Sequence, residues 1–204
     1  ILSGTGWSRE KIQKTMNRSL ESVSFIINDY ILDASVDLEL ITTRCANVIG
    51  EIKSGNRKFR DEYVVLGAHF DHVGEGGVGS GSRKPDLLQV HPGADDNASG
   101  TSGLLEIAQK LAANKSRLKR SVLLIGFDAE EKGLLGSKYF MSNPTVDLNK
   151  IITMINMDMI GRMKDSSATV GGVGSSPLFE PLIDSLKTDR SFNLSISSQG
   201  FGPS

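Results

Sequence analysis

The chain has 204 residues, 23% of them charged and 38% hydrophobic, the balance of an ordinary globular protein long enough to bury a core without disulfide staples. Its net charge of −1 leaves no basic excess to attract nucleic acid or an anionic membrane, and no run of 18 or more apolar residues could span a bilayer as a helix. One cysteine, Cys45, excludes an internal disulfide and a cysteine-based metal site.

In chain order, Ser8 to Leu20 predicts a short amphipathic helix with Ile12, Met16 and Leu20 on one face. Leu38–Thr42 and Asn47–Ile52 are β-rich runs, and Gly55-Asn56 is a hairpin turn signal. Tyr63–Ala68 is a continuous apolar run, as expected of a strand buried on both faces. Gly74 to His91 is rich in Gly, Ser and Pro, has no periodicity and reads as a long loop. Ser99 to Asn114 predicts a helix capped by Ser99, with Leu104, Leu105, Ile107, Ala108, Leu111 and Ala112 on its apolar side. Ser121–Phe127 is a second buried strand, Gly133–Ser142 a helix and Lys150–Met157 a third apolar strand. Ala168–Val170, Pro177–Leu186 and Phe192–Ser197 complete the pattern as strand, helix and strand. Strands alternating with helices, the central strands apolar throughout, predict an α/β fold: a three-layer αβα sandwich around a mixed, mostly parallel sheet.

Four polar clusters sit just after these strands or in loops that begin there: His69-Phe70-Asp71-His72, Asp95-Asp96-Asn97, Asp128-Ala129-Glu130-Glu131 and Asn156-Met157-Asp158. Ligand sites in open α/β sheets lie beyond the carboxyl ends of the strands, so the clusters should converge at one edge. A single Asp-Asp or Glu-Glu pair is ordinarily just solvated. Four clusters at one end of a sheet point instead to a metal or catalytic site. Asp96, Glu130, Glu131 and Asp158 brought together would repel one another, and bound divalent cations would relieve this. Imidazole with carboxylates suits Zn²⁺, with Mn²⁺ or Co²⁺ as alternatives. One carboxylate would then remain free as a general base.

Gly67–His72, Pro92–Gly100, Ala129–Ser137 and Asn156–Gly161, in that order, resemble the successive motifs of the M28 family of metallopeptidases, from about Asn47 to the end of the chain. The resemblance implies a zinc-dependent aminopeptidase that removes amino-terminal residues from peptides at a two-metal centre. It makes His69 a metal ligand, Asp71 the carboxylate that orients its imidazole, Asp96 the bridging ligand and Asp95 a neighbour that does not ligate. Glu130 resembles the general base, Glu131 a ligand of one metal and Asp158 the ligand of the metal held by His69. It also implies a cis bond after Asp96. The family's fifth ligand is a histidine near the end of the domain, and no histidine follows Asp158 in this sequence. In similar sequences Gly-Phe-Gly-Pro-Ser is followed closely by Asp-His, so the expectation is a fragment that stops short of that ligand. The implied cofactor is two Zn²⁺ per intact domain, and one or none in the fragment, with little or no peptidase activity of its own.

The start, without an initiator Met or a signal-peptide pattern, also reads as trimmed. Residues 1–33 resemble the link from a protease-associated domain lying N-terminal to this chain, with the catalytic domain occupying 34–204. Peptide substrates, no nucleic acid, no membrane insertion and an exported protein are expected. His72 and His91 are placed at the border of the site, in outer or loop roles. Gly74-Glu75-Gly76-Gly77-Val78-Gly79 matches a dinucleotide fingerprint, but the loop sequence that follows cannot open the helix such a site needs. A single-zinc acyltransferase such as a glutaminyl cyclase, and a non-catalytic binding homologue, are the alternatives on the same fold.

Overall fold

The computed structural model describes every residue except 1, 3, 21, 27–30, 32, 40, 41, 187–191 and 198–204. It divides into two compact units, Ile1–Thr43 and Arg44–Ser204. In the first unit, helix α1 (Arg9–Ser19) begins where Ser8 caps it, the Lys11 amide donating to Ser8 Oγ at 3.2 Å. It ends at Leu20, in the left-handed region at φ 56°, whose amide closes the last turn on the Met16 carbonyl. Trp7 stacks on Phe25, with Lys11 Nζ over the indole. Of the predicted strand Leu38–Thr42, residues 38, 39 and 42 have no regular structure and 40 and 41 lie outside the described residues.

The second unit is built on strands β1 (Val48–Ile52), β2 (Tyr63–His69), β3 (Ser121–Phe127) and β4 (Ile151–Asn156), in the order β1-β3-β2-β4. β2 runs parallel to both β3 and β4, and β1 is antiparallel to β3. The hairpin signal at Gly55-Asn56 therefore closes no hairpin. β1 pairs with Val122–Gly126 rather than with its successor, and the chain between β1 and β2 must pass β3. Ser54, where that connection begins, is buried; its amide donates to Ser121 Oγ at 3.0 Å and its hydroxyl to the Leu118 carbonyl at 2.5 Å.

The pleat of β2 and β3 sends alternate side chains to opposite faces. Val65, Leu123, Ile125 and Phe127 pack on one face with Phe140 of helix α3 (Leu135–Ser142). Leu66, Ala68 and Val122 pack on the other with Leu104 of helix α2 (Gly100–Ala113). Helices thus cover both faces, the three-layer αβα arrangement with a mixed sheet that the alternating pattern predicts. β4 differs from expectation. It is an edge strand among the described residues, with Ile152, Met154 and Ile155 each about half exposed, although its apolar run predicts burial. Beyond it, β5 (Ser167–Val170) and β6 (Asn193–Ile196) form a separate parallel pair, with helix α4 (Phe179–Ser185) between them in sequence.

Candidate metal centre

Because β2, β3 and β4 are parallel, their carboxyl ends emerge at one edge of the sheet. β2 ends on His69, β3 is followed by Asp128–Glu131, and β4 by Met157-Asp158. The turn Ala94–Ser99 approaches the same edge and carries Asp96, with a cis bond between Asp96 and Asn97. The four clusters come together here.

His69 is 3% exposed. Its Nδ1 lies 3.1 Å from the Asp71 carbonyl, a contact that places the ring proton on Nδ1 and leaves the Nε2 lone pair facing the acids. Nε2 is 3.2 Å from Asp96 Oδ1 and 3.6 Å from Asp158 Oδ1. The Asp71 carboxylate stands 3.6 Å from His69 Nδ1, and it also accepts the backbone amides of Glu130 at 3.0 Å and Glu131 at 3.2 Å. One aspartate so ties the loop after β3 to the loop after β2. Thr101 Oγ1 donates to the His69 carbonyl at 2.9 Å and fastens α2 to the strand end.

The other oxygen of Asp96, Oδ2, faces away from His69 and lies 3.9 Å from His72 Nδ1, which in turn sits 2.7 Å from Glu131 Oε1. Two groups with metal-ligand chemistry result, His69/Asp96/Asp158 and His72/Asp96/Glu131, joined through the two oxygens of Asp96. His72 Nδ1 and Glu131 Oε1 are buried without a hydrogen-bond partner. Buried polar atoms are rarely left so, and the donor set of imidazoles and carboxylates is one that fits divalent zinc. Glu130 belongs to neither group. Burial pushes its carboxyl above the usual carboxylate range; His69 opposes this, while Glu131, Asp158 and Asp71 add to it. Asp95 stands outside both groups, and its carboxylate accepts the Gly161 amide at 3.0 Å.

Two positioning residues are given no role by the sequence reading. Asn97, 1% exposed, donates its amide to the Met157 carbonyl at 2.9 Å. It also accepts from the amides of Gly100 at 3.0 Å and Met159 at 3.2 Å, so it grips both neighbours of Asp158. It also replaces Ser99 as the cap of α2; Ser99 is already helical and its hydroxyl turns back to the Asp95 carbonyl. Asn47 accepts the Asp128 amide and donates to the Gly136 carbonyl, linking the start of β1 to both ends of the loop that carries Glu130 and Glu131. The available hint is slight: an Asn beside an acidic pair, and another leading into a strand.

Residues 47–201 match the model of peptidase family M28. The chain belongs to that family. An aminopeptidase of Pseudomonas aeruginosa is 33% identical to this M28 chain over 148 residues, 72% of the chain and 24% of that protein. Aminopeptidase Y of Saccharomyces cerevisiae is 34% identical over 133 residues, 65% of the chain and 21% of that protein. The chain thus spans about a quarter or less of the length of these curated relatives. Among solved structures, the glutaminyl cyclase of Porphyromonas gingivalis is similar with a TM-score of 0.51 and 28% identity, covering 69% of this chain and 48% of that one. No helix among the described residues is long and apolar enough to cross a membrane.

Proposed function

We infer that this M28 chain carries the metal centre of a zinc-dependent aminopeptidase that hydrolyses the amino-terminal residue from peptides. The observation that carries the reading is Asp96, whose two oxygens face two separate imidazole–carboxylate groups. His69, Asp96 and Asp158 would hold one cation, and Asp96 with Glu131 the other. Bound divalent zinc supplies Lewis acidity toward the scissile carbonyl and makes water a stronger acid near neutral pH. Glu130, free of both groups, accepts a proton from the attacking water and returns it to the leaving amine. Its raised pKa suits both halves of that exchange. Asp71 keeps Glu130 in place by holding its backbone amide, and keeps the His69 imidazole in the tautomer that ligates. The relatives named as aminopeptidases support the substrate class.

The test compares the zinc-loaded protein carrying this sequence with its Glu130→Ala variant on a panel of aminoacyl anilides. Loss of the base should lower turnover about 10²–10⁴-fold. Equal turnover would remove Glu130 as the base. A second reading, acyl transfer that cyclises amino-terminal glutamine at a single zinc, is favoured by the likeness to the Porphyromonas gingivalis protein. Release of ammonia from a glutaminyl peptide without cleavage of its peptide bond would establish that reading instead.

A further inference from the structure

The turn after β3 carries Glu130 and Glu131, and it is fixed on its own account. The amides of Gly133 and Leu134 both donate to the Glu130 carbonyl at 2.8 Å, and Asp71 holds the amides of Glu130 and Glu131. Loop 74–91 has no such frame. It contains no helix or strand, and a loop of that length keeps one position only where it is tied. Its base is tied. The Gln89 amide donates to the Glu75 carbonyl and the His91 amide to the Gly74 carbonyl, each at 2.8 Å. The His91 ring then meets His72 edge-on, with centroids 6.3 Å apart, and His72 Nδ1 lies 2.7 Å from Glu131 Oε1. The base of the loop therefore borders the Glu131 side of the centre.

The tip of the loop is organised around Ser80, which is buried. Its hydroxyl donates to the Gly77 carbonyl at 2.7 Å and accepts the Ser82 amide at 3.1 Å. The carbonyls of Gly79 and Ser80 accept from Lys132 Nζ, at 3.2 and 3.4 Å. Lys132 follows Glu131 directly, so its backbone belongs to the fixed turn and its ammonium reaches across to the loop. An ammonium bonded to two carbonyls makes charge-assisted hydrogen bonds, stronger than neutral ones. Loop 74–91 thus meets the turn at two places, through His91 and His72 at its base and through Lys132 at its tip.

We propose that Lys132 is a positioning residue: it latches the tip of loop 74–91 to the turn that carries Glu130 and Glu131, and so holds the loop as one wall of the substrate site. The wall rests on the aminopeptidase reading above; the latch does not. Lys132 touches neither metal-ligand group, and Asp71 holds Glu130 and Glu131 without it. Releasing the latch should therefore loosen the loop and weaken substrate binding while the proton transfer keeps its rate.

Amide hydrogen exchange read by NMR tests the latch, and kinetics on aminoacyl anilides test the wall. In Lys132→Met the amides of Ser80 and Ser82 should exchange about 3–10-fold faster, while those of Gln89, His91 and the strands β2 and β3 keep their wild-type rates. Lys132→Arg, which keeps the charge and the donors, should restore slow exchange. In the zinc-loaded protein Lys132→Met should raise KM about 3–10-fold and leave kcat within about twofold, the pattern of a lost interaction shared by bound substrate and transition state. Unchanged exchange at the tip, or exchange that quickens equally through the sheet, overturns the latch. Faster exchange at the tip with an unchanged KM, or with kcat falling as far as kcat/KM, overturns the wall. Wild-type protein that turns over no anilide overturns the aminopeptidase reading and the wall with it, and exchange still decides the latch. Lys132 is exposed, so methionine there strands no buried group, and Lys132→Gln removes the charge in a second way.

Discussion

Replacing Asn97 by alanine should be among the most damaging single changes near the site, although Asn97 is assigned no chemistry. Its side chain makes three hydrogen bonds in a place that is 1% exposed, to the Met157 carbonyl and the amides of Gly100 and Met159. Each such bond contributes about 1 kcal/mol net, and each partner left buried and unpaired costs about 1–3 kcal/mol. Met159 is about half exposed, so its amide can find solvent more readily than the Gly100 amide, which is buried, and the low end of that range applies to it. The sum is about 3–5 kcal/mol, a large share of the ~5–15 kcal/mol that holds a typical domain folded. With a urea slope of about 1–3 kcal/mol/M, the midpoint should fall by more than about 1 M. Urea melts of wild type and Asn97→Ala, followed by far-ultraviolet circular dichroism, measure this. A midpoint moved by less than ~0.3 M would show that Asn97 is not the clamp between the Asp96 turn and the Asp158 strand end.

Other substitutions test the remaining contacts. Asp71→Ala releases two amides and the carboxylate beside His69, and should weaken zinc binding about 10–100-fold by calorimetry with little change in fold. Glu130→Gln should keep the cation content of wild type, read by elemental analysis, while turnover falls. Gly136→Ala should cost more than Gly67→Ala in thermal melts. The first Cβ would run into the Asp128 backbone carbonyl and Asn47 Oδ1, whereas the second meets side chains only, the flexible end of Met154 and the ring edge of Phe127, each at 2.8 Å. Ile125→Ala, at a fully buried position between β3 and α3, should lower stability by about 2–5 kcal/mol in denaturant titration.

Much of this architecture is legible in the residues themselves. Tyr63–Ala68 and Ser121–Phe127 are apolar on both faces because helices cover both, and period and length suffice to find them. Parallel strands then force the polar clusters after them to one edge, so chain order alone brings His69, Asp96, Glu131 and Asp158 together. What stays hidden depends on neighbours that a local pattern does not contain. Gly55-Asn56 signals a turn but not that β3 comes between β1 and β2. The apolar run of β4 gives no sign that Ile152, Met154 and Ile155 are each about half exposed. α3 starts at Leu135 rather than Gly133 because Gly133 and Leu134 both take positive φ, 99° and 62°. Sequence leaves His72 at the border of the site, since nothing in it tells that Gly93 makes room for the ring to turn toward Glu131.

The central claim is a centre of two cations bridged by Asp96, and anomalous diffraction from zinc-loaded crystals of the protein tests it most directly. The account predicts two zinc peaks, one on each side of the Asp96 carboxylate, each ~2.0–2.2 Å from one of its oxygens. The first should touch His69 and Asp158, and the second Glu131. No peak at Asp96, or zinc bound only elsewhere on the surface, would contradict it.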